Sequence, residues 1–412
     1  MISLSSTYEP LLSKKNLSIC MISDDFLPAM TGVGVYLKLV APELVKRGHK
    51  VSVITSRRKG EPAVEQWQGV TIYRVFTIKM YGFYQALPSA AKVREILNLV
   101  NPDVVHHHYV GFMMKLVCKI AESMKMCQVS TYHFGPEILT QPLPMRPFRG
   151  IIRKLMVNYN NRCAMVMAPS QNVKKQIIKD GVKSPIQYIT NPVAFGEKNN
   201  VVPAERTSGY TIFYAGRLGK EKNIEYLIRS FSQLLSTRPN AILWIAGRGP
   251  ELSALENLCS QLKISNSVKF LGFLEHKDLA RYYAACDTFV LPSLQEVQPL
   301  VVMEAMWFAK PVIVTSAIAA AEEMVDHGVN GFIVDPNSVE DLTKRFLELS
   351  SDPITCITFG EESRKRAEMF RPELVVNAIE LAYFELVESA AKTIGKKANY
   401  VVPSNGALAS TI

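Results

Sequence analysis

Short, almost wholly apolar runs alternate with amphipathic stretches along most of this chain. "LSICMIS" (17–23) has the length and branching of a strand buried on both faces. After a loop, apolar residues recur at helical spacing to about Arg47, where Gly48 stops them, and "KVSVITS" (50–56) completes a βαβ unit. The same pattern predicts strands at 69–76, 103–109, 127–133, 166–170 and 186–190. The segment "AFGEKNNVVPAERTSG" (194–209) is rich in chain breakers. Beyond it a second series begins, with strands at 210–216, 241–247, 268–273, 288–293, 311–316 and 331–336 and helical segments between them. Unbroken apolar strands alternating with helices specify parallel sheets covered on both faces. The expected fold is α/β, with two doubly wound, Rossmann-like domains at 17–193 and 210–370. Residues 1–16 would be an extension, 194–209 a linker, 371–395 a helix packing back on the first domain and 396–412 a flexible tail. Sheets of this kind bind ligands beyond the carboxyl ends of their strands.

Composition narrows the class. With 412 residues, 48% hydrophobic and 20% charged, the chain has material for two soluble cores. Its first fifteen residues lack the apolar centre of a signal peptide, and no run approaches the roughly 20 apolar residues of a membrane span. Seven cysteines, odd in number and without a C-x-x-C, fit free thiols in a cytoplasmic setting. The charge is lopsided. Residues 1–190 hold 25 Lys+Arg against 11 Asp+Glu, whereas 191–412 hold 22 against 26. A basic first half suggests an anionic partner there. Nucleic acid is disfavoured, because no zinc-finger, RNA-binding or helix-turn-helix pattern is present.

Candidate chemistry concentrates in the loops that follow strands. In "SLQEVQPLVVMEAM" (293–306), Ser293 and Glu296 have capping-box spacing. However, Pro299 would clash in the interior of a helix begun there, so the helix is expected to start near Pro299 and run to about Ala309. Glu296 then lies in the loop and Glu304 on the helix, on either side of a helix N-terminus that attracts anions. A ligand carrying both phosphates and sugar hydroxyls would satisfy all of these groups. In "AGRLGKEKNIEYL", Arg217, Lys220 and Lys222 crowd the turn before a helix that Asn223 can cap. Three cations at the carboxyl edge of a parallel sheet suit a multiply charged anion. Gly32 and Gly34 in "TGVGVY" give a weak G-x-G, and Leu37 stands where a dinucleotide fingerprint needs a third glycine. His133 ends a strand in "STYHFG". Of the "HHH" at 106–108, only His106 and His108 share a face, with no acidic or cysteine cluster beside them, so no metal site is expected.

"TGVGVYLKLVAPELVKRGHKVSVIT", "STYHFG", "AGRLGKEKNIEYLI", "IAGRGPEL", "VKFLGFL" and "LPSLQEVQPLVVMEAM…KPVIV", in this order, resemble the glycogen-synthase-like family of retaining glycosyltransferases with the GT-B fold. The resemblance spans about residues 17 to 390. It implies two domains facing each other across a cleft and a sugar nucleotide as donor substrate, with no cofactor and no metal. Arg217 and Lys222 would clamp the diphosphate, Glu296 would meet the donor sugar and Glu304 the ribose. The loop at Gly216 and the amides of Leu300 and Val301 would add to the donor site, and Gly32 and Gly34 would face it across the cleft. His133 would lie near the transferred sugar and the acceptor. Ala319-Ala320 stand where many relatives have Gly-Gly, and Pro299, which has no N–H to donate, stands where relatives often have glycine.

The acceptor is less specified. "MRPFRGIIRKLMVNYNNR" (145–162) mixes Arg146, Arg149, Arg153 and Lys154 with large apolar residues. It reads either as a core-facing helix with a solvated basic side or as an apolar face rimmed by cations, suited to an anionic membrane. The aromatics of "KMYGFYQALP" (79–88) are candidates for an acceptor groove. A sugar, lipid or lipid-linked acceptor follows. A glycoside hydrolase using Glu296 and Glu304 and a non-catalytic sugar-nucleotide binder are the alternatives.

Overall fold

The computed structural model describes residues 16–28, 31–80, 83–108, 111–139, 143–193, 201–205 and 208–398. Nearly all of the extension, most of the linker and the tail beyond Ala398 lie outside the described residues.

The first sheet is built from β1 (Ser18–Ile22), β2 (Lys50–Ser56), β3 (Val64–Trp67) and β4 (Val70–Val75), a hairpin β5 (Thr77–Met80) and β6 (Phe83–Ala86) at its edge, then β7 (Val104–His107), β8 (Cys127–Thr131), β9 (Met165–Ala168) and β10 (Ile186–Tyr188). The order is β10-β9-β8-β7-β1-β2-β4-β3, and the hairpin forms its own small sheet. Pairing is parallel except for β3, which runs antiparallel to β4. The second sheet holds β11 (Thr211–Ala215), β12 (Ile242–Ala246), β13 (Val268–Gly272), β14 (Thr288–Leu291), β15 (Val312–Thr315) and β16 (Gly331–Val334), all parallel, in the order β13-β12-β11-β14-β15-β16. Both are doubly wound sheets. The strand order reverses between β1 and β7 in the first and between β11 and β14 in the second, and each reversal opens a crevice at the strands' carboxyl ends.

The strands are buried because their side chains are apolar on both faces, so helices must cover both. Helix Gly32–Lys46 runs as one element through Pro42 and packs beside β2. The last helix, Pro372–Ala398, extends three residues into the segment expected to be tail. Its Val375, Val376, Ile379, Ala382 and Tyr383 lie in the first domain's core with Leu37, Val40 and Leu44. Polar contacts fix it there. Glu380 takes a bond from Arg47 at 3.0 Å and lies 2.8 Å from His49 Nε2. The chain thus passes between domains twice, and the two passages touch where Val193 N–H donates to Phe370 O at 2.8 Å.

The domains also meet along one side of the cleft. Gln298 donates to Thr190 Oγ1 at 2.7 Å and accepts from Asn191 N–H at 2.8 Å. Gln171 N–H donates to Glu323 at 2.7 Å, and Asn172 Nδ2 to Ala319 O at 3.1 Å.

Candidate active site

Both reversal points carry the residues singled out above. At the second, β11 leads into Gly216-Arg217-Leu218-Gly219 and β14 into the loop 292–299. The loop after β12 presses on the first of these. A Cβ at Gly247 would fall 1.8 Å from Gly216 O, and the backbone there has φ +140°, so only glycine fits. Tyr214 Oη donates to Arg217 O at 3.0 Å and steadies the turn. The Arg217 side chain, 48% exposed, makes an ion pair with Glu221 at 2.8 Å.

Lys222 ends a 3-10 turn (Lys220–Lys222) and forms an ion pair with Glu296 across the reversal point. Ser293 Oγ donates to the same carboxylate oxygen at 3.3 Å, so the Ser-x-x-Glu spacing serves a loop and not a helix cap. Asn223 departs from expectation. It sits in the left-handed region (φ 54°) with no capping bond, and its amide donates to Pro336 O at 3.1 Å. The left-handed turn has drawn its side chain away from the helix end.

Helix Leu300–Trp307 starts directly after Pro299, with no side chain capping it. The amides of Leu300 and Val301 are its first, and its N-terminus lies between Glu296 and Glu304. Glu304 is buried, its Oε2 accepting from Tyr283 at 2.9 Å and its Oε1 3.7 Å from His276 Nε2. Tyr283 and His276 were missed in the sequence. They lie seven apart on helix His276–Ala285, a spacing that places them on one face. Ala319 N–H donates to Glu296 O at 3.0 Å and Ala320 N–H to Val297 O at 3.1 Å. At the Ala-Ala position, then, the backbone holds the loop that bears Glu296.

The first domain's reversal point is uncharged by comparison. Gly32 opens helix Gly32–Lys46 with free space where a Cβ would project, and Gly34 N–H is taken by Thr31 Oγ1 at 3.2 Å. Sterics within the protein therefore do not require glycine at 32. His133 follows β8, packs edge-on against Tyr36 at 4.8 Å between centroids, and bonds through Nε2 to His108 Nδ1 at 3.1 Å. Enclosure pushes His133 down to about 3, so the ring is neutral near pH 7. His106 lies ring to ring with His108 at 3.9 Å and spans Thr131 and Tyr383. His107 faces the other side, towards Gln128. Among the described residues no group of three or more His, Cys, Asp or Glu is arranged to hold a metal.

Asp24, directly after β1, was also missed. It is 2% exposed, accepts from Ala86 N–H at 3.4 Å through Oδ1, and its Oδ2 finds no partner among the described residues. Burial pushes its carboxyl up to about 7. The signal was the paired acid "DD" at the carboxyl end of a central strand. The two edges approach where Gln295 Nε2 donates to Glu137 Oε2 at 3.5 Å, bringing the loop of Glu296 to the short helix Pro136–Leu139 that follows His133.

Helix Arg149–Asn160 carries apolar residues on its exposed as well as its buried side. Phe148, Ile151 and Leu155 are 49%, 56% and 52% exposed, while Met156 and Tyr159 are buried. The outward face is thus apolar, with exposed Arg149 and Lys154 beside it. Arg153 is instead tied to Glu137 at 2.9 Å, and the side chain of Arg146 lies outside the described part. Of the stretch 79–88, Lys79, Met80 and Phe83–Ala86 belong to the β5–β6 hairpin, in which Tyr84 lies under the Arg58 guanidinium at 4.6 Å, and Tyr81 and Gly82 lie outside the described residues.

Comparison with known proteins agrees with this architecture. The family described as glycosyl transferases group 1 matches residues 197–366, and glycosyltransferase family 4 matches residues 30–195. An uncharacterized glycosyltransferase of Methanocaldococcus jannaschii is 30% identical over 79% of this chain and 87% of its own length. Alpha-monoglucosyldiacylglycerol synthase of Acholeplasma laidlawii is 26% identical over 92% of this chain and all of its own. Among solved structures, sucrose-phosphate synthase from Thermosynechococcus elongatus superposes with a TM-score of 0.75 at 19% identity, covering 90% of this chain and 99% of that one. HepE of Anabaena, in complex with UDP, gives 0.70 at 20% identity, covering 88% and 98%. The fold is GT-B.

Proposed function

Since the chain belongs to the family 4, group 1 glycosyltransferases, we propose that it moves a hexosyl group from a nucleoside-diphosphate sugar, with retention at the anomeric carbon, to a hydroxyl of a membrane lipid or lipid-linked glycan. The observation that carries the donor reading is the convergence of Arg217, Lys222 and Glu296 with the uncapped start of helix Leu300–Trp307 at one sheet reversal.

Breaking the anomeric C–O bond leaves positive charge on the sugar and added negative charge on the diphosphate. Once the bound diphosphate has taken the place of their carboxylate partners, Arg217 and Lys222 would meet that negative charge already in position, which is where electrostatic preorganisation lowers a barrier most. The amides of Leu300 and Val301 add a second, dipolar contact. In this reading Glu221 and Glu296 release their cations to the diphosphate. Glu296 then accepts from donor-sugar hydroxyls, and Glu304 from the ribose. The acceptor's proton passes to the departing phosphate oxygen as its own oxygen bonds to the anomeric carbon. Two fixed cations supply the charge that other enzymes draw from a metal, so we expect transfer to persist in EDTA within a factor of about two.

The lipid acceptor is supported by the outward apolar face of helix Arg149–Asn160 and by relatives named for a diacylglycerol product. No helix among the described residues is long and apolar enough to cross a membrane, so contact would be peripheral. The test is calorimetry with UDP, GDP and ADP and their sugars, followed by nucleotide release with and without diacylglycerol in vesicles. Saturable binding and acceptor-dependent release are expected. No heat with any diphosphate would overturn the donor site, and release unchanged by acceptor would indicate hydrolysis.

A further inference from the structure

We propose that His108 is a positioning residue that fixes His133 as the Nδ1–H tautomer, so that His133 offers the bound sugar a hydrogen-bond donor and has no lone pair free to act as a base. The proposal rests on the reading above that His133 faces the transferred sugar.

His133 Nε2 and His108 Nδ1 lie 3.1 Å apart, and both rings are neutral because enclosure holds them below the usual histidine range. One proton lies between them. Its owner is decided on the far side of His108, which is fully buried and whose Nε2 has no partner among the described residues. If His133 donated, His108 would carry its own proton on Nε2 and bury an N–H with nothing to accept it. If His108 donates, only an unused lone pair is left there. Orphaned buried donors are the rarer and costlier fault. His108 therefore donates from Nδ1, His133 accepts at Nε2, and a neutral His133 must hold its proton on Nδ1. The partner of one ring nitrogen sets the state of the other.

The same accounting works for the neighbouring rings. His107 Nε2 lies 3.0 Å from Gln128 Oε1, and its unmatched atom is again a bare nitrogen, Nδ1. Tyr383 is fully buried, and its hydroxyl meets His106 Nδ1. By donating there it places the His106 proton on Nε2, where Thr131 Oγ1 accepts at 2.7 Å. His106, in β7, and His108, just past its end, thus hold opposite tautomers. With the one lone pair of His133 spent on His108, the acceptor's proton cannot pass to this imidazole. This imidazole is then not the proton acceptor, as the route through the departing phosphate oxygen requires.

The direct test needs no turnover. Long-range proton–nitrogen spectra of wild-type protein labelled at histidine nitrogen, assigned with single His→Gln variants, should show protonated Nδ1 on His108 and His133 and protonated Nε2 on His106 and His107. A bare Nδ1 on His133 overturns the proposal. Kinetics give the second arm. An Asn amide falls near imidazole Nδ1 and a Gln amide near Nε2, so His133→Asn should keep about tenfold more kcat/KM than His133→Gln, one hydrogen bond's worth. His108→Asn, which retains a donor at the Nδ1 position, should likewise keep more kcat than His108→Leu with KM little changed. Equal losses in both pairs count against it. Tautomers as assigned with all His133 variants fully active would overturn the placement of His133 at the sugar, not its protonation.

Discussion

The two faces of the cleft are built by the same topological device and filled with opposite chemistry. At the reversal between β11 and β14, the charged groups are already paired, Lys222 with Glu296 and Arg217 with Glu221. At the reversal between β1 and β7 stand neutral imidazoles and an acid whose burial raises it to about 7. A diphosphate can exchange with a carboxylate already beside a cation at small desolvation cost, since the cation is never left bare.

The sharpest way to break this contrast is Lys222→Ala. It should lower kcat/KM by about 10³-fold and also lower Tm, because Glu296 is left without its cation in a half-buried loop. Adding Glu296→Gln should restore Tm without restoring turnover; near-normal turnover in either variant would sink the assignment. Arg217→Ala comes next, at about 10²-fold, with a smaller change in Tm because the cation of this pair is 48% exposed. Comparable Tm losses in both variants would show that the two pairs do not differ in burial as described.

The first domain gives smaller effects. Ile151→Glu with Leu155→Glu, leaving Arg149 and Lys154 in place, should weaken binding to phosphatidylglycerol vesicles at low salt by roughly tenfold. Unchanged vesicle binding would remove the membrane from the acceptor reading. Asp24→Asn probes the neutral face through stability. Folded Asp24 titrates near 7 against an ordinary 3.8, so the folded protein holds a proton that the unfolded chain releases within that window. Its contribution is full below about pH 4 and is lost as pH rises towards 7. The variant should therefore match wild type near pH 4 and exceed it at pH 8, by about 4 kcal/mol. Parallel Tm curves across that range would contradict it.

Legibility in the sequence followed burial. The parallel strands could be read because each is an unbroken apolar run between breakers. β3 and the β5–β6 hairpin could not, because their residues are largely exposed and mixed in polarity. In the site, Arg217, Lys222, Glu296 and the helix start after Pro299 were legible from local spacing, proline geometry and charge. The pairing of Tyr283 with Glu304, the bond between His108 and His133, and the reach of Tyr383 to His106 were not. Those partners lie 21, 25 and 277 positions apart, and only the folded chain brings them together. Asn223 failed for a different reason, since its backbone conformation overrode its side chain's preference.

The bond between Val193 and Phe370 binds the two interdomain passages into a single seam. Cutting the chain after residue 370 would therefore do more than free one of those passages, because it would strip one wall from the first domain's own interior.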